Sequence, residues 1–148
     1  MWKKLGLAAV ISVMAAAPAW AESMCGGEPI PPEIPSAAEM GQKSPADALK
    51  AKHQAFADIT TWQKSGLKDF RSCLDADENS QKRELQTAQS LSKPDPDRIK
   101  RINDQIAGDE KATAHSIDTE EHLVNDFHAL STAFCSRSDV DKTSCPKT

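Results

Sequence analysis

The sequence predicts an all-α chain: a long antiparallel two-helix hairpin with an extended N-terminal arm. Apolar residues recur at spacings of three and four on both sides of Ser92-Lys93-Pro94-Asp95-Pro96, as they do along one face of a helix. Pro29, Pro31, Pro32 and Pro35 crowd the stretch before the first periodic run and oppose regular helix there. The chain has 4 cysteines. One of them, Cys25, lies in that proline-rich stretch and can fasten it to a helix.

Residues 1–21 read as a signal peptide. Met1-Trp2-Lys3-Lys4 is a short basic start, residues 5–17 are apolar, and Ala19-Trp20-Ala21 offers small residues for cleavage before Glu22. The apolar run falls short of the ~20 residues a membrane-spanning helix needs. No second such run follows, so an exported chain is expected, periplasmic or secreted, with no membrane insertion after cleavage. Lipidation at Cys25 is disfavoured because Met24, before it, is not small. The formal net charge is −4, and losing Lys3 and Lys4 makes it more negative by two. That balance argues against nucleic acid and anionic membrane surfaces as partners. Aromatic residues are only 5% of the chain and tyrosine is absent, so a narrow helix-on-helix, coiled-coil-like seam is expected in place of a rich core.

Taken in order, residues 22–43 form an extended Pro-rich arm, with Ile30, Ile34 and Met40 to bury. The hairpin spans 44–136. Ser44 suits an N-cap, Pro45 the first helical position and Asp47 the positive helix end. The first seam reads Leu49, Lys52, Phe56, Ile59, Gln63, Gly66, Phe70 and Cys73, widened by Leu67 and Leu74. Residues 75–80 gather poor helix formers and like charges, yet the helix is expected to continue through them. Pro94 then stops the first helix, Asp95 caps the second and Pro96 starts it. The second seam reads Ile99, Ile102, Ile106, Thr113, Ile117, Glu120, Val124, Phe127 and Phe134, with Leu123 and Leu130 thickening it. Residues 137–148 form a polar tail. Such a hairpin is ~60 Å long. Two helices bury one stripe each, so the arm, a third helical piece or a second copy must cover the rest.

Helical rise decides the disulfides. Cys73 and Cys135 differ in height along the hairpin by ~30 Å, whereas bridged Cα atoms lie within ~7 Å. The stretch 45–73 spans ~42 Å as helix. The stretch 25–45 reaches ~60 Å in polyproline form. The arm can therefore fold back so that Cys25 meets Cys73, leaving Cys135 to pair with Cys145. Zinc bound by these cysteines is disfavoured, because no C-x-x-C pair exists.

A Pro-rich arm, a Cys73-Leu74 pair on a long helix and a second helix of the pattern Ile106, Glu110, Ile117, Phe127, Phe134 resemble a loose group of small exported bacterial proteins with no assigned activity. The likeness covers residues 25–135. It implies the arm and the helical hairpin, and it supplies no chemistry.

Two constellations are candidates for chemistry. His115, Asp118 and His122 share one helical face and are sensible zinc or copper ligands. A metal-binding protein is accordingly the alternative functional reading, set against a plain solvated face. His53 and His128 fall towards the open end of the hairpin, where they could approach each other. No nucleophile elbow, phosphate loop or dinucleotide fingerprint is present, and the acidic clusters read as solvated charge. Trp62 reads as seam in preference to an exposed anchor. The leading expectation is therefore an exported, non-enzymatic helical interaction module, chaperone-like or envelope-associated. It would need no cofactor and would bind a protein partner or its own copy.

Overall fold

The computed structural model describes residues 24–146. The predicted leader, residues 1–21, and the last two residues of the tail lie outside the described residues. What is described is all-α: helices α1 (Ala37–Gln42), α2 (Pro45–Trp62), α3 (Lys68–Gln89) and α4 (Pro96–Ser136), with a π turn (Gln63–Leu67) joining α2 to α3 and a 3₁₀ turn at Lys142–Ser144. Three long helices thus stand where the sequence predicts two. The extra division is the π turn. Residues 75–80 lie inside α3, which passes through them unbroken.

Both ends of the reversal form as their residue types dictate. The Ser44 hydroxyl accepts from Asp47 N, with Pro45 at the first position of α2. The Asp95 carboxylate accepts from Asp97 N and Arg98 N at the start of α4, with Pro96 next to it. Level by level, Ala48 and Ala55 share a core with Leu130 and Phe134, Arg71 meets Glu120, Gln81 meets Asp109, and Glu84 meets Arg98.

The phase of burial explains the π turn. On α4 the buried residues are Ile102, Asp109, Ser116, Leu123, Leu130 and Phe134. From Ile102 to Leu130 they recur at every seventh position, and the half-buried Ile106, Thr113, Glu120 and Phe127 sit four residues after each of the first four. That is an uninterrupted heptad pattern. On α2, Ala48, Lys52, Ala55, Ile59 and Trp62 keep the same alternation of four and three. The next buried residue, Leu67, comes five positions on, after which Phe70 and Leu74 resume it. One surplus residue would rotate everything after Trp62 away from α4. The wider π turn absorbs it and keeps both halves facing α4.

This phase corrects the predicted seams. Phe56 and Ile117 are exposed, while Leu49, Gln63, Gly66 and Val124 are only half-buried. Their places inside are taken by Ala48, Ala55, Trp62, Asp109 and Ser116. The arm is also corrected. Residues 37–42 are helical, because the Ser36 hydroxyl accepts from Glu39 N while Glu39 accepts from Ser36 N, a reciprocal capping box that buries Met40. The tail is more than a polar extension, since Val140 joins the core with Met40 and Phe134.

The arm is bound along its length. Cys25 pairs with Cys73 (Cα–Cα 5.6 Å). Pro29 O accepts from Trp62 Nε1 at 3.1 Å. A Cβ added at Gly66 would lie 3.1 Å from Pro29 Cβ, so glycine in the π turn lets the arm come close. Ile34 packs against both apolar clusters. At the far end Cys135 pairs with Cys145 (Cα–Cα 5.9 Å), and Arg137 Nη1 donates to Met40 O and Lys43 O at 2.7 and 2.9 Å, capping α1. Opening the first bridge with Cys25→Ser/Cys73→Ser should lower stability by about 3–4 kcal/mol. It should also shift the emission of Trp62, the only tryptophan beyond residue 21, towards the red. Unchanged emission and stability would show that the bridge does not hold the arm down.

Candidate functional site

The predicted metal face is not assembled into a site. His115 Nδ1 lies 2.6 Å from Glu28 Oε2, so this histidine meets the arm. Asp118 and His122 are exposed. Among the described residues no group of three or more His, Cys, Asp or Glu could hold a metal ion. His53 and His128 are both exposed, and no hydrogen bond among the described residues joins them. His53 lines a shallow depression of about 510 Å³ with Ala46, Leu49, Lys50, Gln54 and Ala57. All six residues belong to α2, so the depression has no opposing wall.

Polar groups lie between the helices; the predicted seams held Lys52, Gln63 and Glu120 but not Arg71 or Ser116. Arg71 donates from Nε to Ser116 Oγ (2.8 Å), from Nη2 to Ser116 O (2.8 Å) and from Nη1 to Glu120 Oε2 (2.7 Å). Gln63 Nε2 donates to Glu120 Oε1 at 2.7 Å. Ser116 is fully buried. This network satisfies its own donors and acceptors, and its geometry fixes which residue of α3 stands beside which of α4. Further along, Lys52 is 6% exposed; its ammonium donates to Ser144 O at 2.6 Å and lies 5.0 Å from the centroid of the Phe134 ring. Burial pushes the Lys52 pKa down.

Asp109 is the least comfortable of these groups. It is 3% exposed and occupies a heptad core position. Gln81 Nε2 donates to it at 3.1 Å, while Gln81 Oε1 is buried without a hydrogen-bond partner. Burial raises the Asp109 pKa first, the Asp77 and Glu78 carboxylates of α3 raise it further, and only the Gln81 hydrogen bond opposes them.

An apolar face lies away from the arm. Leu49, Phe56 and Gln63 follow one another at every seventh residue on α2 and into the π turn, as Ile117 and Val124 do on α4. Residues so spaced share a side of their helix. The Phe56 and Phe127 rings, 5.9 Å apart, and the Gln63–Glu120 hydrogen bond join the two rows into one surface. Phe56 is 60% and Ile117 43% exposed. The arm lies against the other flank, where Pro29 meets Trp62 and Glu28 meets His115. The sequence had signalled these apolar residues, but assigned them to the interior.

No family model, no curated protein and no solved structure matches the chain. Among the described residues no helix is long and apolar enough to cross a membrane. The two disulfides are of the kind found in chains that fold outside the reducing cytosol.

Asp109 yields a test with a defined sign. A raised folded pKa means that the contribution of Asp109 to stability is complete below the unfolded carboxylate pKa, about 4, and is lost as the pH rises through the folded value. Asp109→Asn keeps a partner for Gln81 and removes the charge. It should gain about 1 kcal/mol over the parent at neutral pH and nothing at about pH 3. Denaturant titrations at both pH values check this; a gain independent of pH would exclude the buried charge as its cause.

Proposed function

We propose that the protein is an exported, non-enzymatic interaction module. Its leader is removed after residue 21, and it acts in the periplasm or outside the cell. In this reading α2, the π turn and α3 serve as one rod and α4 as the other, a single antiparallel hairpin strapped on one flank by the arm. It belongs with the small exported helical proteins that its Pro-rich arm and Cys73-Leu74 pair resemble. The opposite flank is the working surface, and it takes a protein.

The exposure of Phe56 carries this reading. A large aromatic ring held mostly in water at the centre of an apolar row is unfavourable for an isolated chain, and such rings are preferred anchors where proteins meet. The arm sealing the other flank makes the exposure one-sided. The polar clusters support a binding role over catalysis: Arg71, Glu120 and Ser116 are engaged with one another, and the depression beside His53 is walled by one helix alone.

Replacing Phe56 by a photo-crosslinking phenylalanine analogue tests the reading in cells that export the protein. A discrete adduct is expected from position 56 and none from Gln105, an exposed residue of α4 that lies in neither row. Equal labelling at both positions, or none at 56, would refute a binding face here.

A further inference from the structure

We infer that the occupant of the exposed face is a second copy of the same chain, related by a two-fold axis running along the rod. The inference rests on the interaction-module reading and names its partner. Its basis is the way charge divides across the face. On one side, Lys64 and Lys68 are exposed in and just after the π turn. On the other, Glu121 is exposed on α4. The apolar residues Phe56, Ile117 and Val124 lie in the rows between.

The levels of these charges are fixed by contacts inside one chain. Gln63 bonds Glu120, and because the two segments run in opposite directions the residues that follow them, Lys64 and Glu121, stand within ~3 Å of one height along the rod. A two-fold axis parallel to the rod keeps heights and exchanges sides. It sets the π turn of each chain over α4 of the other, with Lys64 facing Glu121 of the second copy, twice by symmetry. A two-fold axis across the rod would lay the basic edge on the basic edge and the acidic on the acidic. Electrostatic complementarity therefore selects both the partner and the mode of packing. Phe56 then meets the Val124 row of the other copy, and the pair becomes a four-helix arrangement with the arms outermost. The geometry also answers what two helices leave uncovered, since each copy supplies the layer that the other lacks.

Sedimentation equilibrium on the purified chain from residue 22 onwards tests this. The expected result is twice the chain mass at micromolar concentration. Lys64→Glu and Glu121→Lys should each weaken association about tenfold or more, because each turns two attractions into repulsions. The double exchange Lys64→Glu/Glu121→Lys should restore it to within about threefold of the parent. Phe56→Glu should give a monomer. All three positions are exposed, and unchanged circular dichroism and Tm certify the fold of each variant. A monomer at every concentration, or a double variant no better than the singles, overturns the proposal. The photo-adduct separates the two readings: an adduct at position 56 with a mass other than twice the chain removes self-association and leaves the interaction module standing, whereas no adduct removes both.

Discussion

A single surplus residue between Trp62 and Leu67 constrains the rest of the structure. The long helix α4 keeps its heptad phase from Ile102 to Phe134, so its partner must return a side chain to the interface at every three or four positions. The partner does so from Ala48 to Trp62 and again from Leu67 to Leu74. Without the π turn one of those halves would face water. With it, both stay seated on α4. The widened turn also places Gly66 where the arm passes, with Pro29 closing over it and over the Trp62 indole. The stretch where the helix is least regular is thus also one where the arm comes into contact with it.

The interface is thin, and its stability has to come from attachment as well as packing. Ala48, Ala55 and Ala88 bury little area but let helices approach closely. Lys52, Asp109 and Ser116 bring polar atoms into core positions. The interior remains acceptable because most of those atoms are paired: Lys52 with Ser144 O, Ser116 with Arg71, Asp109 with Gln81. Each of these bonds joins residues far apart in sequence. They therefore set register as well as satisfy charge, and a slip of one heptad along α4 would strand them all.

The parts of this fold that were legible in the sequence are those set by covalent geometry. Ser44 with Pro45, and Asp95 with Pro96, mark helix starts because a side-chain oxygen and a proline satisfy constraints local to the first turn. The pairing of Cys25 with Cys73 and of Cys135 with Cys145 follows from helical rise together with the reach of the arm. Seam phase was not legible to the same degree. Counting apolar residues as interior drew Phe56, Ile117 and Val124 inwards and passed over alanine, serine and aspartate, which carry no hydrophobic signal. The capping pair Ser36 and Glu39 was in plain view, but the prolines before it pointed to an extended path. The π turn leaves only one trace, a spacing of five, and that trace appears only once the buried residues are known.

The misplaced seam residues and the candidate surface are the same side chains, and the coincidence has a physical origin. Each rod carries an apolar stripe wider than one partner helix can cover. The arm takes the surplus on one flank, guided by Cys73, Trp62 and Gly66. At the open end Arg137 caps α1 and Lys52 holds the tail loop, so arm and tail form one lid over Met40, Phe134 and Val140. Nothing in the described chain remains to cover the row of Leu49, Phe56, Ile117 and Val124. A surface left bare by a chain fastened at both ends of its arm is held in one geometry before any encounter. Little conformational entropy is then lost in docking, and a modest apolar row flanked by placed charges suffices to select a partner.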